Sequence, residues 1–167
     1  LEEASKLAEE SNVFLAHSSH DKNVLVPIVK EKLKAAGATV YIDKDDVELA
    51  ETTSTETAKQ LKENIAECDK FIVLMTSSAK NSKWIPWELG LADGVKDYED
   101  IAIFITESEQ INKQWISQEY IGKYQIIVEY KGSLVVENTY TKKKKNLDDW
   151  INPKSIEYML GNILDEW

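Results

Sequence analysis

The chain has 167 residues, of which 43% are hydrophobic and 30% charged, and its formal net charge is −10. That length makes one ordinary globular domain whose core needs no staples, and the composition excludes wholesale disorder. An acidic balance repels phosphate backbones, which argues against nucleic acid as a partner; the single cysteine, Cys68, excludes an intrachain disulfide and fits a reducing, cytoplasmic compartment; and no apolar run reaches the roughly 18–20 residues of a membrane span.

Residues 1–11 read as an N-terminal helical segment that opens at Leu1 rather than Met, as a piece of a longer chain would, with no signal-peptide pattern. From there, short apolar runs alternate with amphipathic stretches, the pattern of an α/β domain with a mainly parallel sheet. Val13-Phe14-Leu15-Ala16 is the first expected strand. Asp21 is placed to cap a helix whose apolar stripe is Val24, Ile28, Val29 and Leu33, and Gly37 is its C-terminal glycine. A second strand spans 39–42 and ends at Asp43. Residues 44–52 are polar and acidic and read as a loop, after which Thr53-Ser54-Thr55-Glu56 has the spacing of a capping box. The helix behind it buries Ala58, Leu61, Ile65 and Cys68.

Phe71-Ile72-Val73-Leu74-Met75 is a continuous apolar strand, as in the buried centre of a parallel sheet. A polar loop, 76–83, leads to a helix over 84–96, where Pro86 is tolerated because it lies in the first turn. Residues 101–105 form the fourth strand, 111–120 a short helix and 124–128 a fifth strand, which pairs with Leu134-Val135-Val136 as a hairpin across Lys131-Gly132-Ser133. The run 142–145 of four lysines reads as a solvated loop. Asn152-Pro153 caps a final helix with Ile156, Met159, Leu160, Ile163 and Leu164 as its stripe. No repeat or linker interrupts the chain, so 1–167 reads as a single domain.

In open α/β sheets, ligands bind beyond the carboxyl ends of the strands. His17-Ser18-Ser19-His20, Asp43 and the 76–82 segment converge there, beside the start of the Trp84 helix. On that helix Trp84, Glu88, Leu91, Ala92 and Val95 share one face. Glu88 is then a carboxylate on an inward-pointing face, which calls for a partner or a purpose. A structural reading stands beside the functional one: pairing with a lysine, or acceptance of backbone hydrogen bonds. His17 and His20, three apart with no nearby cysteine, make a poor metal site, so none is expected. Trp87, Trp150 and Trp167 read as packing residues. There is no Walker loop, no Gly-x-Gly-x-x-Gly after the first strand, no Gly-x-Ser-x-Gly elbow, and no aspartate ending the central strand as a phosphoacceptor.

The ordered set of these segments resembles the TIR (Toll/interleukin-1 receptor) family, bacterial type. Val13 to Lys22 resembles the family's first box, Val40-Tyr41-Ile42-Asp43 the second strand leading into the BB loop, and Phe71 to Thr76 the third strand. Ser82-Lys83-Trp84-Ile85-Pro86-Trp87-Glu88-Leu89-Gly90 is similar to the Ser-x-Trp-x-x-x-Glu segment of catalytic members. The likeness covers 12–106; 107–167 diverges. Residues 125–136 look like an extension found in some bacterial relatives, and the 44–52 loop lacks the glycine and proline of animal adaptors.

The resemblance implies a flavodoxin-like, open, mainly parallel five-stranded sheet with helices on both faces, extended by a C-terminal hairpin and a final helix. It also implies cleavage of NAD+ between nicotinamide and ribose, by a hydrolase or by a cyclase giving a cyclic ADP-ribose signal, in Thoeris-like antiphage defence. Glu88 would then be catalytic, and Trp84, His17, Ser18, Ser19, Asp43 and Ser82 would bind substrate. NAD+ would be substrate, with no cofactor. The expected partners are further copies of the chain, associating through the BB loop at 44–52, and a separate effector that senses the product. A non-enzymatic self-associating scaffold and a nucleoside deoxyribosyltransferase-like enzyme are the alternatives.

Overall fold

The computed structural model describes residues 11–43, 54–106 and 121–153. Its strands are β1 (Ser11–Ala16), β2 (Ala38–Tyr41), β3 (Lys70–Met75), β4 (Ile101–Ile105), β5 (Gln125–Tyr130), β6 (Ser133–Glu137) and β7 (Lys144–Asn146). They form one sheet in the order β2-β1-β3-β4-β5-β6-β7. The first five pair in parallel, and β6 and β7 add on antiparallel. The 2-1-3-4-5 order is the flavodoxin-like doubly wound arrangement. The sheet has seven strands among the described residues, where the resemblance implied five, because the hairpin and one further strand continue it.

Helices cover both faces. α2 (Thr55–Glu67) and α3 (Trp84–Asp93) pack Leu61, Ile65, Ile85, Leu89 and Ala92 against Phe14, Phe71, Val73 and Ile103 on one side. On the other side, α1 (Leu25–Ala35) and the short α4 (Leu147–Ile151) pack Val26, Val29, Leu33, Trp150 and Ile151 against Val13, Leu15, Ile72 and Phe104. Every residue of β3 and β4 is buried: the apolar runs 71–75 and Ile101–Ile105, and Lys70 at the start of β3.

Several local expectations shift. The α1 stripe is Val26, Val29 and Leu33, while Val24 and Ile28 are exposed, because the helix begins only at Leu25 after a turn. Asp21 does not cap it: that carboxylate is buried and accepts a hydrogen bond from Thr76. Gly37 does end the segment, at φ 88°, a left-handed value that favours glycine. Ser54 caps α2, its Oγ accepting from the Thr57 amide at 3.1 Å; Thr53 lies outside the described residues. α3 ends at Asp93, three residues short of the expected 96.

The β5–β6 hairpin turns through Lys131 (φ 52°) and Gly132 (φ 78°), with Tyr130 opposite Ser133. Two positive φ values in a two-residue loop match the twist of the strands it joins. The lysine run is not all loop: Lys144 and Lys145 lie in β7, where Lys144 reaches Glu137 at 2.7 Å. Residues 1–10, the 44–52 loop, the 111–120 helix and the helix stripe at 156–164 lie outside the described residues. No helix among the described residues is long and apolar enough to cross a membrane.

Candidate functional site

The strand order reverses between β1 and β3, and at such a switch point neighbouring loops leave in opposite directions and open a crevice. The loops after β2, β1 and β3 lie side by side there, about 10 Å from first to third at the usual strand spacing. Asp43 stands two residues past β2, half-buried. His17, Ser18 and Ser19 follow β1 directly. Residues 76–83 follow β3 and lead into α3. All the expected site residues therefore belong to these three loops or to the first turns of α3.

Within the β1 loop, Ser18 is buried and its Oγ accepts from the His20 amide at 3.4 Å, capping a short 3-10 turn over Ser19–Asp21. His17 Nδ1 lies 2.9 Å from the Ser18 carbonyl oxygen. A carbonyl only accepts, so in this contact Nδ1 carries a proton and donates it. Ser19 is half-buried and His20 exposed.

Ser82 precedes α3, and its Oγ accepts from the amides of Trp84 (3.2 Å) and Ile85 (3.3 Å). Two amides that would otherwise lack partners are satisfied, which fixes where the helix starts. Trp84 is half-buried and meets Trp87 edge to face, with ring centroids 5.2 Å apart at 66°. Trp87 in turn packs on the core, as a packing residue should. Glu88 lies one turn beyond Trp84, about 6 Å along the axis.

The fully buried stripe of α3 is Ile85, Leu89 and Ala92. Trp84, Glu88 and Leu91 form the half-buried flank beside it, not the centre of the inward face, and Val95 lies past the helix end. At 3.6 residues per turn, Glu88 sits about 70° from the middle of that stripe. This lowers the desolvation cost that the sequence pattern implied.

Asp21 is the residue that sequence reasoning missed. It is 6% exposed, and Thr76 Oγ1 donates to its Oδ2 at 2.6 Å. The available signal was its place in the loop after β1, opposite the loop after β3. Among the described residues no group of three or more His, Cys, Asp or Glu is gathered to hold a metal. Cys68 is buried in the core, and burial raises its thiol pKa.

Comparison with known proteins bears on this geometry. The family model described as TIR domain matches residues 13–127. A curated relative from Bacillus cereus (strain MSX-D12), described as probable 3' cyclic ADP-D-ribose synthase ThsB', is 30% identical over 126 residues, 74% of this chain. The chain spans 63% of that relative's length. The TIR domains of the activated Roq1 resistosome, a solved structure directly recognizing the pathogen effector XopQ, align at a TM-score of 0.41 and 16% identity over 62% of this chain and 63% of that one.

Proposed function

The chain belongs to the TIR domain family, and from that membership we propose that it cleaves the nicotinamide–ribose bond of NAD+, with Glu88 as the catalytic carboxylate. The observation that carries the reading is a glutamate one turn inside a capped helix, on the flank of that helix, beside the switch-point crevice. The bond breaks with its electron pair leaving on the nicotinamide nitrogen, which turns a cationic ring neutral and needs no acid. What remains is an oxocarbenium-like ribose, as in glycoside hydrolysis. A carboxylate beside it stabilises the developing positive charge, and the same carboxylate can take the proton of the incoming hydroxyl.

Water as nucleophile gives ADP-ribose, and a hydroxyl of the substrate itself gives a cyclic product. The Bacillus relative, a probable 3' cyclic ADP-D-ribose synthase, favours the cyclic outcome. A cyclic nucleotide released this way suits a signal read by a separate effector in antiphage immunity. Self-association through residues 44–52 belongs to the same proposal. That segment carries Asp45, Asp46, Glu48 and Glu51 with no glycine or proline.

The test is to incubate the purified protein with NAD+ and separate the products by chromatography and mass. Nicotinamide should appear with ADP-ribose or with a product one water lighter. Specific activity should rise with enzyme concentration, in step with particle size. Folded protein that releases no nicotinamide would leave the scaffold reading standing instead.

Trp84 is proposed to stack on a ring of the substrate at the mouth of the site. Trp84→Ala should raise the KM for NAD+ about tenfold, the loss of roughly 1.4 kcal/mol of stacking. Its kcat should stay within a few-fold, and half-burial predicts only a modest fall in Tm. Steady-state kinetics beside a thermal melt decide it: an unchanged KM with a large fall in Tm would make Trp84 a packing residue.

A further inference from the structure

We propose that Asp21 and Thr76 form a positioning clamp that ties the β1 loop to the start of α3 and so sets where Glu88 stands. The proposal rests on the NAD+-cleaving reading of Glu88 and adds two residues to that site.

Five polar side chains are buried among the described residues: Ser18, Asp21, Lys70, Thr76 and Gln125. Lys70 and Gln125 open their strands at the opposite end of the sheet, where Lys70 pairs with Asp100 and Gln125 Nε2 donates to the Glu99 carbonyl at 3.1 Å. The other three gather at the switch point. A fold that needed only a tight crossing could fill that place with apolar side chains at lower cost, since a buried polar group must be matched by a partner.

The direction of each hydrogen bond follows from its donors. The Ala79 amide can only donate, and it donates to Thr76 Oγ1 at 3.0 Å. The Thr76 hydroxyl has one proton, and it points to Asp21 Oδ2 at 2.6 Å. That length fits a hydroxyl donating to a carboxylate. Asp21 is held from its own side by its amide, which donates to the Ser18 carbonyl at 3.0 Å.

From Thr76 the connections run on toward α3. The Lys80 amide donates to the Thr76 carbonyl at 3.2 Å, and the Ser82 amide to the Ala79 carbonyl at 3.1 Å. Ser82 Oγ then receives the amides of Trp84 and Ile85. One unbroken set of contacts thus leads from the β1 loop, across the crevice, to the helix start one turn before Glu88. Asp21 and Thr76 touch no reacting atom in this scheme. They act through the placement of α3, and a displacement of about 1 Å in a reacting group can cost a hundredfold in rate.

The experiment compares Thr76→Val, which keeps the shape and removes the hydroxyl, with Thr76→Ser, which keeps the hydroxyl. Two readouts are taken on folded protein: amide hydrogen exchange at Ala79, Trp84 and Ile85, which needs no substrate, and kcat and KM for NAD+. Thr76→Val should speed exchange at these amides at least tenfold and lower kcat about 10- to 100-fold, with KM within threefold. Thr76→Ser should restore both to within about threefold of the parent. The clamp is overturned if Thr76→Val leaves exchange at Trp84 and Ile85 unchanged, or speeds exchange while kcat holds. A parent protein inert toward NAD+ would instead count against the proposed activity. The exchange data would then decide whether the clamp exists.

Discussion

Replacing Glu88 by Gln should abolish NAD+ cleavage, lowering kcat a hundredfold or more, while the Tm moves by only a degree or two. The two side chains are nearly isosteric, and Gln still accepts a hydrogen bond through its carbonyl. What disappears is the negative charge. A preorganised charge beside a developing cation is commonly worth about 3–4 kcal/mol, which is two to three powers of ten in rate. The small thermal effect follows from exposure: Glu88 is half-buried on the flank of α3, so neither a large desolvation cost nor a large packing contribution is at stake. KM should change little, because the positive charge that the carboxylate stabilises reaches the ribose only as the bond breaks. Single-turnover assays with the folded variant give the check. Nicotinamide release within tenfold of the parent would remove Glu88 from the chemistry.

Trp150→Ala should have the reverse profile: a large loss of stability and an unchanged kcat per folded molecule. Trp150 is 2% exposed on α4, among Leu147, Ile151 and the sheet residues of that face. Its Nε1 donates to the Glu99 carbonyl at 2.9 Å, and Lys70 Nζ sits 4.9 Å from the ring centroid. Truncation opens a cavity and removes the cation–π contact from a lysine that is itself buried and paired with Asp100. Large-to-small substitutions of this kind cost about 3–5 kcal/mol. In a chain of this length that lowers Tm by roughly 10 °C or more. Trp150→Phe should recover most of the packing but not the hydrogen bond. A denaturant titration decides it; a loss under about 1 kcal/mol would mean the indole is not holding α4 to the sheet. The site lies at the other end of the strands, which is why activity in the folded fraction should hold.

The two residues also show what could be read without coordinates. The sheet was legible wherever burial was total. Residues 71–75 in β3 and Ile101–Ile105 in β4 are runs with no polar interruption, the pattern of a central parallel strand. The hairpin was legible from Lys131-Gly132-Ser133 between apolar runs, although the turn itself is only Lys131-Gly132, with Ser133 already in β6. Glu88 could be found because a carboxylate stood out among apolar residues at helical spacing.

Its exact aspect could not. Trp84-Ile85-Pro86-Trp87 and Leu89-Gly90-Leu91 make α3 apolar nearly all round, so two overlapping stripes fit the same sequence and only packing chooses Ile85, Leu89 and Ala92. Asp21 was misread for a different reason. An aspartate just before a helix looks like a cap, and nothing local reveals a competing hydroxyl 55 residues away at Thr76. β7 was hidden because Lys144-Lys145-Asn146 has no apolar residue to carry a period. It is held by ladder bonds to β6 and by the charge of Glu137.

That last strand has a consequence for the behaviour of the molecule in a crowded solution. A sheet that ends in an open ladder invites another chain to continue it, and natural proteins block this with short, lysine-bearing terminal strands. β7 is three residues long, and Lys142 and Lys144 fold back onto Glu137 while Lys131 and Lys144 flank the Tyr130 ring at 5.3 and 5.2 Å. A second copy approaching in register would bring its own lysines against these, ammonium to ammonium. Among the described residues, what guards the sheet against growth on this side is charge. The guard is only as strong as those charges: high salt, or chemical neutralisation of the lysines, would turn a soluble boundary into an adhesive one.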